Sequence, residues 1–288
     1  MTTITQRSKR VANTPEELES LMPQSHENTV NTGYSSSIES HGYPITAGAF
    51  KLILLFSHLI GILVIVLTIL WTNKYLGGYG WAIPSTEFNY HPLFLIIGMV
   101  YLYGNSIISY RLFPSLDKPK LKLIHSILHA ACLVFTATGL YAVIDFHQRA
   151  HIVNFYSLHS WIGIFTATIY FFQWIGSLYA FLYPGIQPTY RAIALPFHVR
   201  GGLIIFAISV VTCLTGLTEK IMFSLTVNGT STYSQLPPAA FYANFIGVFI
   251  ILYAILIGYL VTESAFARKP TTGESKISSI SLSTSRNR

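Results

Sequence analysis

Four of the ten histidines fall at a regular interval: His91, His125, His159 and His198 follow one another at 34, 34 and 39 residues. Imidazole carries protons near neutral pH, ligates transition metals and serves as the axial ligand of haem iron. Each of these four stands near the N-terminal end of an apolar stretch, where an ionisable side chain is costly and marks a functional path. A single such histidine reads as a packing residue, and His58, alone in the first apolar stretch, is read that way. Recurrence at one depth in four successive stretches requires a common task. The sequence holds no GxSxG, HExxH, P-loop or dinucleotide fingerprint to compete for it. Cys132 and Cys213 lie inside apolar segments as packing residues and form no CxxC metal site.

The stretches that carry the histidines are long enough to cross a bilayer. Charged residues make up 10% of the chain, against about 25% in soluble domains. Six windows supply the roughly 20 apolar residues that a spanning helix needs: about 50–72, 90–111, 122–144, 155–182, 197–217 and 241–262. This predicts an all-α polytopic membrane protein of six transmembrane helices, with helices two to five forming a central four-helix bundle. Successive helices run in opposite directions, so alternate histidines share a side: His91 with His159, and His125 with His198. Two facing imidazoles are what a haem iron accepts in a helix bundle, so the pattern predicts two b haems, one near each membrane face. A glycine four residues after a ligand shares its helix face and leaves backbone room for a flat macrocycle; Gly163 follows His159 and Gly202 follows His198 at this step. His129 follows His125 by the same step and is the alternative ligand. Lys122, at the predicted helix boundary, puts His125 about one turn deep and favours it.

Charge gives the sidedness, because Lys and Arg beside helix ends concentrate on the cytoplasmic face. With both termini cytosolic, fifteen of the eighteen Lys and Arg fall on that side, and only Lys74, Arg149 and Lys220 on the other. The net charge of +7 is thereby a topological feature and lends no support to nucleic-acid binding. No apolar run follows the basic start until about residue 50, so the first helix is expected to act as the insertion signal. The polar flanks, residues 1–46 and 268–288, are expected to be disordered cytosolic tails around a domain spanning 47–267. Within the first, Glu17-Leu18-Glu19-Ser20-Leu21-Met22 resembles an acidic dileucine sorting signal, which favours an endosomal or lysosomal membrane over the plasma membrane. Asn228-Gly229-Thr230 is an N-glycosylation sequon in the last outer loop.

The runs FNYHPL, KLIH, YSLHSWIG, LPFHVRGG and GLTEK stand in an order that resembles the cytochrome b561 family from about residue 50 to residue 270, nearest to the animal ascorbate-dependent ferric reductases of the duodenal and lysosomal kind. The resemblance implies that ascorbate donates electrons on the cytosolic face, to the haem held by His125 and His198. It implies that His91 and His159 hold the other haem, that ferric iron or monodehydroascorbate accepts there, and that the protein is a homodimer. Arg111, Lys118, Lys122 and Arg191 match the positions of the family's cytosolic ascorbate site. A small monoanion needs such cations and donors, although the positive-inside rule alone also places cations here. His147, twelve residues before His159, falls where iron-reducing members carry a histidine, in an outer loop with Asp145 and His151. Two other readings accommodate four membrane histidines: a transporter with a histidine proton relay, and a dihaem anchor for a partner oxidoreductase. The first needs ionisable groups at the midplane, where the sequence is almost uncharged. The second has no need of the lysine pair beside His125.

Overall fold

The computed structural model describes residues 47–269 and residue 271. The N-terminal tail with its sorting-signal resemblance, and nearly all of the C-terminal tail, lie outside these residues. Six helices are long and apolar enough to cross a membrane: α1 (Gly48–Tyr75), α2 (Pro84–Leu112), α3 (Lys118–Arg149), α4 (Leu158–Leu182), α5 (Pro188–Ser224) and α6 (Pro238–Thr262).

The helix ends follow local rules. α2, α3, α5 and α6 each carry a proline in the first turn, where its missing N–H has no intrahelical partner to lose. α4 starts from Ser157, whose hydroxyl accepts a hydrogen bond from the Ser160 amide at 3.2 Å. α3 runs on through Asp145 and His147 to Arg149, so these two residues belong to a helix, where the sequence predicted a loop. The cause lies in Arg149, which donates to Glu87 Oε2 at 2.6 Å and to the carbonyls of Trp81 and Ala82 at 3.0 and 2.6 Å. These bonds tie the last turn of α3 to the α1–α2 connection.

α1 packs mainly on α6, to one side of the other four helices. Within those four, α2 pairs with α3 and α4 with α5, while α2 also meets α5. Trp71, Tyr103, Ile108, Ile246 and Tyr253 are fully buried among the six helices. Val134, Phe172 and Ile255 point outward, the disposition of apolar side chains whose surroundings are lipid. α2 widens to a π-helical stretch over Ile96–Leu102, and α4 ends in another over Leu178–Leu182; such insertions gather at functional sites because they re-aim the side chains on the next turns. After α5, β1 (Thr226–Val227) and β2 (Thr230–Ser231) form an antiparallel hairpin with Val227 opposite Thr230. Its tip is Asn228-Gly229, with φ of 49° and 75°, the pair of left-handed residues that a two-residue hairpin turn demands.

Candidate functional site

His91 on α2 faces His159 on α4 with ring centroids 6.0 Å apart and planes at 84°. His125 on α3 faces His198 on α5 at 5.9 Å and 81°. The predicted pairs are thus brought together, each joining alternate helices, and each ring is fixed by a helix that does not carry its partner. Nδ1 of His91 donates to the Gly139 carbonyl at 3.1 Å, Nδ1 of His159 to Thr212 at 3.0 Å and Nδ1 of His125 to Ser106 at 2.9 Å. A carbonyl only accepts, so these three rings carry their proton on Nδ1. His198 Nδ1 lies 2.8 Å from Ser177 Oγ, and Ser177 gives its one proton to the Gln173 carbonyl at 2.6 Å. Toward His198 it therefore accepts as well. All four imidazoles present Nε2 as a lone pair, held in orientation through the other nitrogen as metal-ligating histidines are.

The separation fits a shared metal. Imidazole–metal bonds of about 2 Å on either side of one ion put ring centroids roughly 6 Å apart, the spacing of both pairs. His129 is placed differently. Its nearest histidine is His125 on the same helix, with centroids 4.6 Å apart. Its ring is wedged against Tyr103 at 4.9 Å, and its Nδ1 lies 3.0 Å from the Tyr170 hydroxyl.

His91 and His159, the outer pair of the predicted topology, open on a cavity of about 520 Å³ that is lined as well by Phe88, His147, Asn154, Gly163 and Lys220, a size usual for cofactor sites. His147 Nδ1 lies 3.0 Å from Asn154 Oδ1. Asp145 is turned toward Arg149 at 3.5 Å, and His151 follows α3 in a left-handed turn with φ of 58°. His58 Nδ1 meets the Tyr101 hydroxyl at 3.2 Å.

At the other end, cations flank the inner pair. Lys122 Nζ donates to the Phe181 carbonyl at 3.2 Å, and the Phe181 ring contacts His198 at 5.2 Å. Lys118 and Arg191 stand within electrostatic reach of Lys122. Arg111 donates instead to the carbonyl of Glu263, at the end of α6. Arg268, outside the predicted set, donates to the Leu116 carbonyl at 2.8 Å and lies near Tyr110, whose ring contacts His125 at 5.8 Å.

The sequence profile of eukaryotic cytochrome b561 matches residues 90–224, the segment holding all four histidines. A lysosomal membrane ascorbate-dependent ferrireductase of Danio rerio is 38% identical over 220 residues, which cover 75% of this chain and 89% of that protein. The chain belongs to the cytochrome b561 family. Other cytochrome b561 relatives are a plasma membrane ascorbate-dependent reductase of Xenopus tropicalis, 38% identical over 222 residues (76% of this chain, 77% of that protein), and a transmembrane ascorbate-dependent reductase of Mus musculus, 35% identical over 223 residues (77% and 87%).

Within this cytochrome b561 fold the two predicted glycines differ. Gly163 lines the outer cavity, and a Cβ there would meet Thr212 Cγ2 at 3.4 Å. Gly202 faces a helix contact: its carbonyl accepts from the Tyr103 hydroxyl at 2.9 Å, and a Cβ would stand 3.3 Å from Gln173 Nε2. The glycine pressed hardest by one of the four paired rings is Gly216, which sequence reasoning missed. A Cβ on it would lie 2.6 Å from Cε1 of His159. Its only signal in the sequence was the small residue before LTEK, on a helix whose register against α4 had yet to be known.

Proposed function

We propose that the chain is a transmembrane oxidoreductase that carries electrons from ascorbate, bound over His125 and His198, to ferric iron or monodehydroascorbate over His91 and His159. Two b haems, one within each imidazole pair, belong to this reading. The observation that carries it is the repetition: two pairs, one toward each end of the bundle, share one ring separation and one free nitrogen. The relatives named as ascorbate-dependent reductases support the donor.

A bound haem supplies a one-electron carrier whose potential follows its ligands and surroundings. The chain's own residues do the rest. Gly139, Thr212, Ser106 and Ser177 keep each Nε2 unprotonated and aimed at its partner ring. Lys118, Lys122 and Arg191 hold the ascorbate monoanion against the inner pair, with Arg111 and Arg268 at the rim. His147, steadied by Asn154, gives the acceptor cavity a group able to pass a proton. Gly163, on the wall of the outer cavity, leaves the backbone close to the macrocycle there.

The cation-rich face and both termini are cytosolic in this reading. A lysosomal or other vesicle membrane is preferred over the plasma membrane, and the relatives named for each support both. Asn228, exposed at the hairpin tip, is then open to glycosylation on the far side, and a homodimer completes the assembly.

The test is electron transfer across sealed vesicles holding the pure protein, with ascorbate inside and the acceptor outside. Two b-type absorption bands are expected to reduce and then reoxidise when the acceptor is added. Lys122→Glu should slow reduction by ascorbate on the order of tenfold with haem content intact. A preparation without any reducible b-type band ends the proposal.

A further inference from the structure

At the end of the bundle that holds His125 and His198, the chain past α6 returns to the α2–α3 connection. α6 ends at Thr262, and the chain turns through Glu263, whose Oε1 accepts from the Ala265 amide at 3.0 Å. Phe266 then packs edge-on against Phe50 of α1 and Tyr259 of α6, with ring centroids 5.0 and 5.9 Å apart. Two residues on, Arg268 Nη2 donates to the Leu116 carbonyl at 2.8 Å.

The two arginines at this end are thereby set apart. Arg111 donates to the carbonyl of Glu263, so its guanidinium is committed to the start of the returning segment. Arg268 stands at the other end of that segment. Leu116, which it binds, is two residues from Lys118. Tyr110, within its electrostatic reach, contacts the His125 ring at 5.8 Å. Arg268 therefore extends the group formed by Lys118, Lys122 and Arg191 on the side of His125. The positive-inside rule accounts for the number of cations at this face, but it does not call for a guanidinium folded back onto the bundle. Ordering so long a side chain costs entropy, and an anion shared with neighbouring cations offsets that cost.

We infer that Arg268 is a donor-binding residue contributed by the segment after α6, and that Arg111 is the positioning residue that holds this segment in place. This rests on the ascorbate reading above and divides between two roles a rim that the reading takes as one. The guanidinium fork offers paired N–H donors to the planar enolate of an ascorbate monoanion. Residues 263–268 lie beyond the segment that the family profile matches, 90–224, so affinity for the donor depends on a part of the chain outside that profile.

The test follows reduction of the inner b-type band in the full chain with haem bound. Ascorbate is supplied at graded concentrations, and durohydroquinone, an uncharged reductant, in parallel. Arg268→Gln should raise the apparent KM for ascorbate about tenfold, the loss of one charge-assisted contact, with the saturating rate and the durohydroquinone rate unchanged. Arg268→Lys keeps the charge without the fork and should fall between. Arg111→Gln should raise the KM by less, and the double variant should be no weaker than Arg268→Gln alone, because both changes remove the same contact. Losses that multiply put Arg111 on the donor itself and overturn the division of roles. A KM unmoved by Arg268→Gln overturns the inference, as does equal slowing of both reductants, which marks a fault in the fold or in haem binding. An unmodified protein whose bands are reduced by dithionite but not by ascorbate is a different result, and it removes the ascorbate reading instead.

Discussion

Around His125 and His198 the nearest neighbours are aromatic rings, whereas His91 and His159 border a cavity. The inner rings touch Tyr110, His129 and Phe181, and the cations stand beyond those side chains. The outer rings border a cavity of about 520 Å³ whose wall carries Lys220, His147 and Asn154. Yet the ring separations are 5.9 and 6.0 Å. Ring placement is set locally, by one hydrogen bond per ring to a neighbouring helix, so the same device works at either end of a bundle. The two ends differ in what lies around each pair.

The strongest way to break the comparison is to remove one ring from each pair. His125→Ala and His159→Ala are each expected to abolish one of the two b-type bands and leave the other, read by absorption at matched protein concentration. His129→Ala should keep both. Its ring has no partner across the bundle at ligand spacing, and its loss costs packing against Tyr103 and Tyr170, on the order of 2–4 kcal/mol for a buried ring of that size. Two intact bands in His125→Ala, with one lost in His129→Ala, would reverse the assignment.

Crowding behind one ring should have a smaller effect, confined to the outer pair. Gly216→Ala forces a methyl to within 2.6 Å of the His159 ring, and overpacking of this kind costs roughly 1–3 kcal/mol. Outer haem affinity should fall about tenfold or more while the inner band is unaffected. Gly163→Ala meets only Thr212, at 3.4 Å, and should lose little. Equal losses from the two would mean that the ring is free to move.

These two glycines also mark how far the sequence reaches. Helices and histidine pairs were legible because apolar run length is a local property and because alternate helices must point the same way. All six predicted windows correspond to helices, and the rings that spacing put on one side do face each other. Contacts that depend on the rotation of one helix against another were not legible. Gly163 and Gly202 have the same offset from a histidine, yet one lines a cavity and the other meets Gln173 and Tyr103. His147 was expected in a loop because its surroundings are polar, but α3 is prolonged by Arg149 reaching the α1–α2 connection, a contact between residues more than sixty apart. Lys220 was counted among three outer charges, with nothing to distinguish it from Lys74. Arg111 matched a family position and is drawn to the end of α6.

The finest prediction separates the anchors of the inner pair. His198 Nδ1 is held by the Ser177 hydroxyl at 2.8 Å, a side-chain contact, while His125 Nδ1 is held by the main-chain carbonyl of Ser106 at 2.9 Å. Ser177→Ala leaves a buried N–H without its acceptor, a loss of about 1–3 kcal/mol. The inner haem should bind roughly tenfold more weakly, measured as the rate at which it passes to a haem-free globin. Ser106→Ala removes a second contact of the hydroxyl at 3.2 Å but keeps the carbonyl, so its effect should be about threefold or less. The outer rings rest on the carbonyls of Gly139 and Thr212 alone. Thr212→Val therefore leaves that anchor in place, and outer haem retention should be the least sensitive of all to side-chain exchange. A loss in Thr212→Val as large as in Ser177→Ala would show that the outer ring depends on the threonine side chain as well as on its backbone.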